Sequence, residues 1–129
     1  MIARVAGAGN DRISLREVAH LDGAGARGVL LSRIAVRERA EAEVYNELSA
    51  GAPGARGHVD CKEIVQDRAV ARATPVVSVS HPEAHVTHEA AIGSVDSKQL
   101  QTLMARGMSP EQAVDLIIQG LLRGRPQSP

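Results

Sequence analysis

Tyr45 is the sole aromatic side chain in a chain of 129 residues that contains no Phe and no Trp. Aromatic side chains usually supply the largest single buried areas of a core, so any interior here must be built from Ala, Val, Ile and Leu. Small aliphatic residues suit a narrow interior in which stacked strands approach closely, as in a β-solenoid, better than the broad core of a sandwich. The length is that of one domain and supports a single, modest core.

The apolar residues alternate. Ile34 and Val36, then Ala40, Ala42 and Val44, interleave with Arg33, Arg37, Arg39, Glu41 and Glu43. A period of two marks strands with one face inward. After the turn residues Gly51-Ala52-Pro53-Gly54, Val59 and Cys61 share one face while His58, Asp60 and Lys62 share the other. Ala69, Ala71 and Ala73 repeat the pattern, and Thr74-Pro75 reads as a corner before Val76 to Val79. Short runs recurring at roughly ten or twenty residues predict rungs of a parallel β-helix from about 29 to 80. The expected inward positions are Ile34, Val36, Ala42, Val44, Val59, Cys61, Ala71 and Val79. An antiparallel sheet of hairpins fits the same alternation. Residues 1–28 offer little beyond the flexible corners at Gly23, Gly25 and Gly28.

The tail changes period. Asp96 or Ser97 can cap a helix through Gln99, Leu100, Leu103 and Met104, with Gly107 as the left-handed residue that ends it. Ser109-Pro110-Glu111-Gln112 then carries the cap, first-turn proline and capping-box partner of a second helix. Ala113, Leu116, Ile117, Gly120 and Leu121 fall on one stripe, widened by Val114 and Ile118. The expected organisation is a partial β-helix core over 1–95, a helical segment over 96–123 and a fraying tail over 124–129.

Fifteen basic and fifteen acidic residues cancel, so no net field attracts nucleic acid or anionic lipid. No stretch is long and apolar enough for a membrane span or a secretory leader. The lone Cys61 cannot form an internal disulfide, which points to a reducing, cytoplasmic setting. Gly7-Ala8-Gly9 and Gly23-Ala24-Gly25 lack the context of a phosphate loop, so the chain is expected to bind no nucleotide by itself.

Two blocks go further. One is Gly57-His58-Val59-Asp60-Cys61. The other is His88-Glu89-Ala90-Ala91-Ile92-Gly93, followed by Arg106-Gly107-Met108-Ser109-Pro110-Glu111-Gln112-Ala113 and an apolar run to Leu122. In order and spacing they resemble the C-terminal portion of the SufB/SufD family, scaffold proteins of the SUF iron–sulfur cluster assembly system, and look more SufB-like than SufD-like. Thr87 stands where SufB proteins often carry an acidic residue. The resemblance implies a right-handed parallel β-helix of few rungs followed by a C-terminal helical hairpin. It implies a scaffold rather than an enzyme, beginning near the middle of the family's β-helix. It further implies a SufC-type ATPase docking on the helices, around Arg106, Leu116, Ile117 and Leu121, and a SufB/SufD-type dimer partner at the β-helix edge. Cys61 would be the thiolate of a transient iron–sulfur cluster, Glu89 a carboxylate ligand close enough to share one iron with it, and His88 a reserve ligand.

Other readings of the same residues stand beside these. A single buried cysteine is usually a small hydrophobe, which would make the chain a plain interaction module with a structural thiol. His81, His85 and His88 invite a zinc-enzyme reading, but Pro82 and the strand-like flanks oppose a helix through all three, and Ile92 stands where a His-Glu-x-x-His motif needs its second histidine.

Overall fold

The alternating runs are strands, most of them ten residues long. The computed structural model describes residues 1–124. Its elements are β1 (Ile2–Gly7), β2 (Arg12–Leu21), β3 (Arg27–Val36), β4 (Glu41–Ala50), β5 (Arg56–Val65), β6 (Val70–Val79), β7 (His85–Gly93), α1 (Ser97–Ala105) and α2 (Pro110–Arg123). Successive strands alternate between two sheets, sheet A with order β1-β3-β5-β7 and sheet B with order β2-β4-β6. Every pairing is parallel. The chain is therefore a parallel β-solenoid, and the hairpin alternative is excluded.

The winding is regular. Each strand pairs with the next but one in the chain at an offset of 29 residues, as in Glu17 with Asn46. Residues 1–28, silent as a pattern, form β1 and β2. Their alternation is broken by Glu17, a charged residue at an inward position of β2. Thr74-Pro75 is not a corner but lies inside β6. A proline lacks the donor a central strand needs, and β6 tolerates it as the outermost strand of sheet B. Of the expected inward residues, Ile34, Val36, Ala42, Val44, Val59 and Cys61 are buried and Ala71 packs against them. Val79 is different: it stacks on buried Ala50 but stays 48 % exposed, because sheet B ends with its strand.

The interior is as narrow as the composition demands. A Cβ on Gly57 would lie 2.3 Å from Leu48 Cδ2, so the facing sheet leaves room only for glycine there. Tyr45 sits on the outer side, its ring under the Arg16 guanidinium at 4.2 Å and its hydroxyl donating to Glu47 Oε2 at 2.8 Å. One set of corners stacks Gly9, Glu38 and Asp67, all in the left-handed region. That conformation is unfavourable for Glu38 and Asp67, but their carboxylates bind the preceding coil: Gly9 N–H donates to Glu38, and Glu38 N–H donates to Asp67 Oδ2 at 3.0 Å.

The helices close as their caps foretold. Asp96 accepts from the Lys98 and Gln99 amides, and α1 ends in a Schellman motif with Gly107 at φ 95°. Ser109 and Gln112 complete the capping box of α2. Helix α2 lies against the outer face of β3 and buries Ala113 and Ile118, while Leu116 and Gly120 of the expected stripe face solvent. The tail over 125–129 lies outside the described residues.

Leu31, Arg33 and Ala35, on the outer face of β3, are buried, as is Asp60 beside them on β5. Arg33 forks onto Asp60, donating at 2.6 Å to Oδ2 and 3.1 Å to Oδ1. Burial pushes the Asp60 carboxyl up, but the Arg33 hydrogen bonds and charge, helped by Lys62 and His58, outweigh it and hold the group below its ordinary 3.8. The pair's contribution is thus present above that value and is lost as pH falls through the lower, folded-state value. Asp60→Ala should destabilise by about 3–5 kcal/mol in urea unfolding, because it strands a buried guanidinium. The double variant Arg33→Met/Asp60→Leu should be neutral or stabilising and should lose that part of the acid dependence. A mild Asp60→Ala effect would mean the pair is solvated.

Candidate functional site

The middle of the solenoid is polar. One aliphatic cluster gathers Leu21, Leu30, Leu48, Ala50 and Val59, and a second gathers Ile34, Val36, Ala42, Val44 and Cys61. Between and beside them lie buried Glu17 and Asn46 from sheet B and Ser32 and Glu63 from sheet A. Strand parity puts them inside: Ser32 pairs with Cys61 across β3 and β5, and Glu63 stands two residues beyond. Asn46 donates to Glu17 Oε2 at 2.6 Å, and the Cys61 thiol contacts Glu63 Oε1 at 3.6 Å. Glu17 Oε1, Glu63 Oε2 and Ser32 Oγ have no protein hydrogen-bond partner. Each unpaired buried polar atom costs on the order of 1–3 kcal/mol, so three in one band are a departure from a plain core.

Burial raises the pKa of all three acids here. The Cys61 thiol, 2 % exposed, is pushed up to about 11. Desolvation is the main cause, with the Glu63 and Glu17 carboxylates adding to it. The Ser32 hydroxyl works the other way, near enough to favour thiolate though not aligned for a regular hydrogen bond. Glu63 is raised by desolvation and eased by the thiol, and Glu17 by desolvation against the N-terminal ammonium and Asn46. Glu63 and Glu17 were missed as members of the site. The sequence did hold a signal, since each is a charged residue at an inward position.

The 29-residue offset decides where the expected ligands go. Cys61 stacks beside Ala90, and Glu89 beside Asp60. Adjacent residues of a strand face opposite ways, so Cys61 points inward while Glu89 points outward, exposed, with Lys62 Nζ at 3.8 Å. Within this chain the two do not come together around one iron. His88, stacked on Val59, has the inward parity of Cys61 but lies on the exposed end strand. His81 is in the corner before β7, and His85 and His88 fall on opposite faces of that strand, so the three histidines form no cluster. Among the described residues no group of three His, Cys, Asp or Glu side chains is placed to hold a metal ion. Arg106, the C-cap of α1, is exposed, Leu116 is 51 % exposed, and Ile117 and Leu121 are half-buried.

The class defined so far is structural: a parallel β-solenoid that carries a helical hairpin and an interior thiol. Comparison with known proteins narrows it. The family model described as "SUF system FeS cluster assembly, SufBD core domain" matches residues 2–121. The chain is 39 % identical over 112 residues to an iron–sulfur cluster assembly SufBD family protein of Methanocaldococcus jannaschii, an alignment covering 87 % of this chain and 35 % of the relative. It is 42 % identical over 113 residues to one from Pyrococcus horikoshii, covering 88 % and 35 %. Against the iron–sulfur cluster assembly protein SufB of Bacillus subtilis it is 31 % identical over 72 residues, covering 55 % and 16 %. This chain belongs to the SufBD family of iron–sulfur cluster assembly proteins. It spans about a third of the length of the first two relatives. No helix among the described residues is long and apolar enough to cross a membrane.

The thiol is open to a direct test. Between its ordinary 9.0 and about 11, Cys61 is protonated in the folded chain and ionised in the unfolded one. Its contribution to stability is therefore present below 9.0 and is lost as pH rises across that window. Removing the Glu63 charge should lower the native value. In Glu63→Gln, the thiolate absorbance titration should move below the wild-type inflection and alkylation at mildly alkaline pH should speed up. An unmoved inflection would mean that Glu63 does not act on the thiol.

Proposed function

We propose that this chain is a scaffold component of iron–sulfur cluster assembly, working with a SufC-type ATPase and a SufB/SufD-type partner in the cytoplasm. The observation that carries the reading is a free thiol inside a solenoid whose neighbouring buried oxygens lack partners. Iron and sulfide are cargo, and Cys61 supplies the thiolate that iron in sulfide clusters favours. A thiol held near 11 is inert until metal arrives or the interior opens. His88, on the exposed strand β7 with the inward parity of Cys61, then supplies a nitrogen donor from the open end, while Glu89, on the outer face of the same strand, stays with Lys62. One cysteine cannot furnish a standing cluster's thiolates, so a second chain completes the site.

Two surfaces support the partners. Strands β6 and β7 end their sheets with backbone groups free for pairing, next to exposed Val77, Val79 and Ile92. Helix α1 buries none of its residues. A groove of about 520 Å³ runs between α1 and α2, lined in part by Leu103 and Ile117, with exposed Met104 and Leu116 nearby. That surface suits the ATPase, with exposed Arg106 and half-buried Leu121 on the same helical segment. The depth and high pKa of Cys61 favour the second reading, an interaction module with a structural thiol.

Iron–sulfide reconstitution of the complex separates the two. Cluster absorbance should be lost in Cys61→Ser and reduced in His88→Ala, with far-ultraviolet circular dichroism unchanged. Full yield in both variants would make Cys61 structural. Deleting residues 107–129 should abolish ATPase pull-down, and retained binding by the folded remainder would overturn the docking assignment.

A further inference from the structure

We infer that the outer face of sheet A, at the N-terminal ends of β3, β5 and β7, holds an oxyanion site that takes a phosphoryl group. Arg27 and Arg56 are direct register neighbours across β3 and β5, and His85 continues the column on β7. Both arginines are exposed, and their backbones lie about 4.8 Å apart, one strand spacing. Like charges placed opposite one another across a ladder repel. Elsewhere on this face the molecule relieves that repulsion. Arg33 and Lys62 are also register neighbours, but Arg33 holds Asp60 at 2.6 Å and Lys62 holds Glu89 at 3.8 Å. Among the described residues, neither Arg27 nor Arg56 has a carboxylate within ion-pair distance.

The two arginines flank a groove of about 430 Å³ that carries no acidic residue in its lining. Its floor is the Gly28 and Gly57 main chain beside Val29, and its far side is His58, His85 and Thr87. His58 is held in place by a 2.7 Å hydrogen bond between its Nδ1 and Thr87 Oγ1. Glu89, two residues beyond Thr87 on the same face, is turned to Lys62 and does not neutralise the pair. Two guanidinium forks one strand apart can each present paired N–H donors to the oxygens of a phosphate or diphosphate. The site uses side chains, not loop amides, so the lack of a phosphate loop does not bear on it. It lies on the opposite side of sheet A from Cys61 and is independent of the cluster-assembly reading.

The test is titration of the 129-residue chain with inorganic pyrophosphate, followed by calorimetry and amide NMR. Saturable binding is expected, with shifts centred on Gly28 and Gly57. Arg27→Ala/Arg56→Ala should weaken it by about tenfold or more, whereas Arg12→Ala, on sheet B, should leave it unchanged. A nucleoside diphosphate that binds more tightly than pyrophosphate would mark a nucleotide-type ligand, and equal affinity an inorganic one; both support the site. The inference is overturned by absence of saturable binding, by equal loss in Arg12→Ala, or by citrate or a phosphate-free nucleoside binding as tightly as pyrophosphate.

Discussion

Each residue of this solenoid rests on the one 29 positions away. That single offset, held through five strand pairings, determines which side chains meet. Inward columns run Leu30, Val59, His88 and Ser32, Cys61, Ala90, while outward columns run Leu31, Asp60, Glu89 and Arg33, Lys62, Ala91. A one-residue slip would exchange the two faces along a whole strand, so the packing of the aliphatic interior locks the register. The outer surface inherits its chemistry from that lock. The buried Arg33–Asp60 pair and the Lys62–Glu89 pair are the same diagonal contact, repeated one coil further on.

The polar band works against this economy. A narrow interior of Ala, Val, Ile and Leu gains stability roughly in proportion to the apolar area it removes from water. Glu17, Ser32, Asn46 and Glu63 give up part of that gain and bring the desolvation of two carboxyls with them. Arg33 and Asp60 are no less buried, yet they satisfy each other. Inside the coil only Glu17 with Asn46 and Cys61 with Glu63 do so, and each carboxylate retains a free oxygen. The core would be more stable without them, so their place calls for a role other than packing.

Much of the fold was legible in the residues. The missing aromatics announced a thin interior, period two announced strands, and the caps at Asp96, Gly107, Ser109 and Gln112 announced the helices. What escaped was the length of the coil. From β2 onward successive strands start 14 or 15 residues apart, half a coil, so the apolar runs show the half-repeat and the coil length appears only when strands are paired. Glu17 hid the first coil, and Pro75 mimicked a corner that an edge strand absorbs. The site suffered most. Cys61 and Glu89 are 28 residues apart, one short of a coil, and that one residue separates the inside of the solenoid from its surface.

Stacking also explains where the molecule is left unsatisfied. An inward-patterned residue is buried only if a coil covers it. Sheet B stops at β6 and sheet A runs one strand further, to β7. Val77 and Val79 therefore keep the pattern of core residues and the exposure of surface ones, as does Ile92. His88 shares the condition, inward by parity and open to solvent. The apolar edge and an imidazole of inward parity thus lie on the same open layer, one coil beyond the strand that carries Cys61. Another strand layer laid there would cover the valines, satisfy the free backbone edge and enclose His88 in a single step. On the proposed reading, association and the completion of the site around Cys61 would then be the same event.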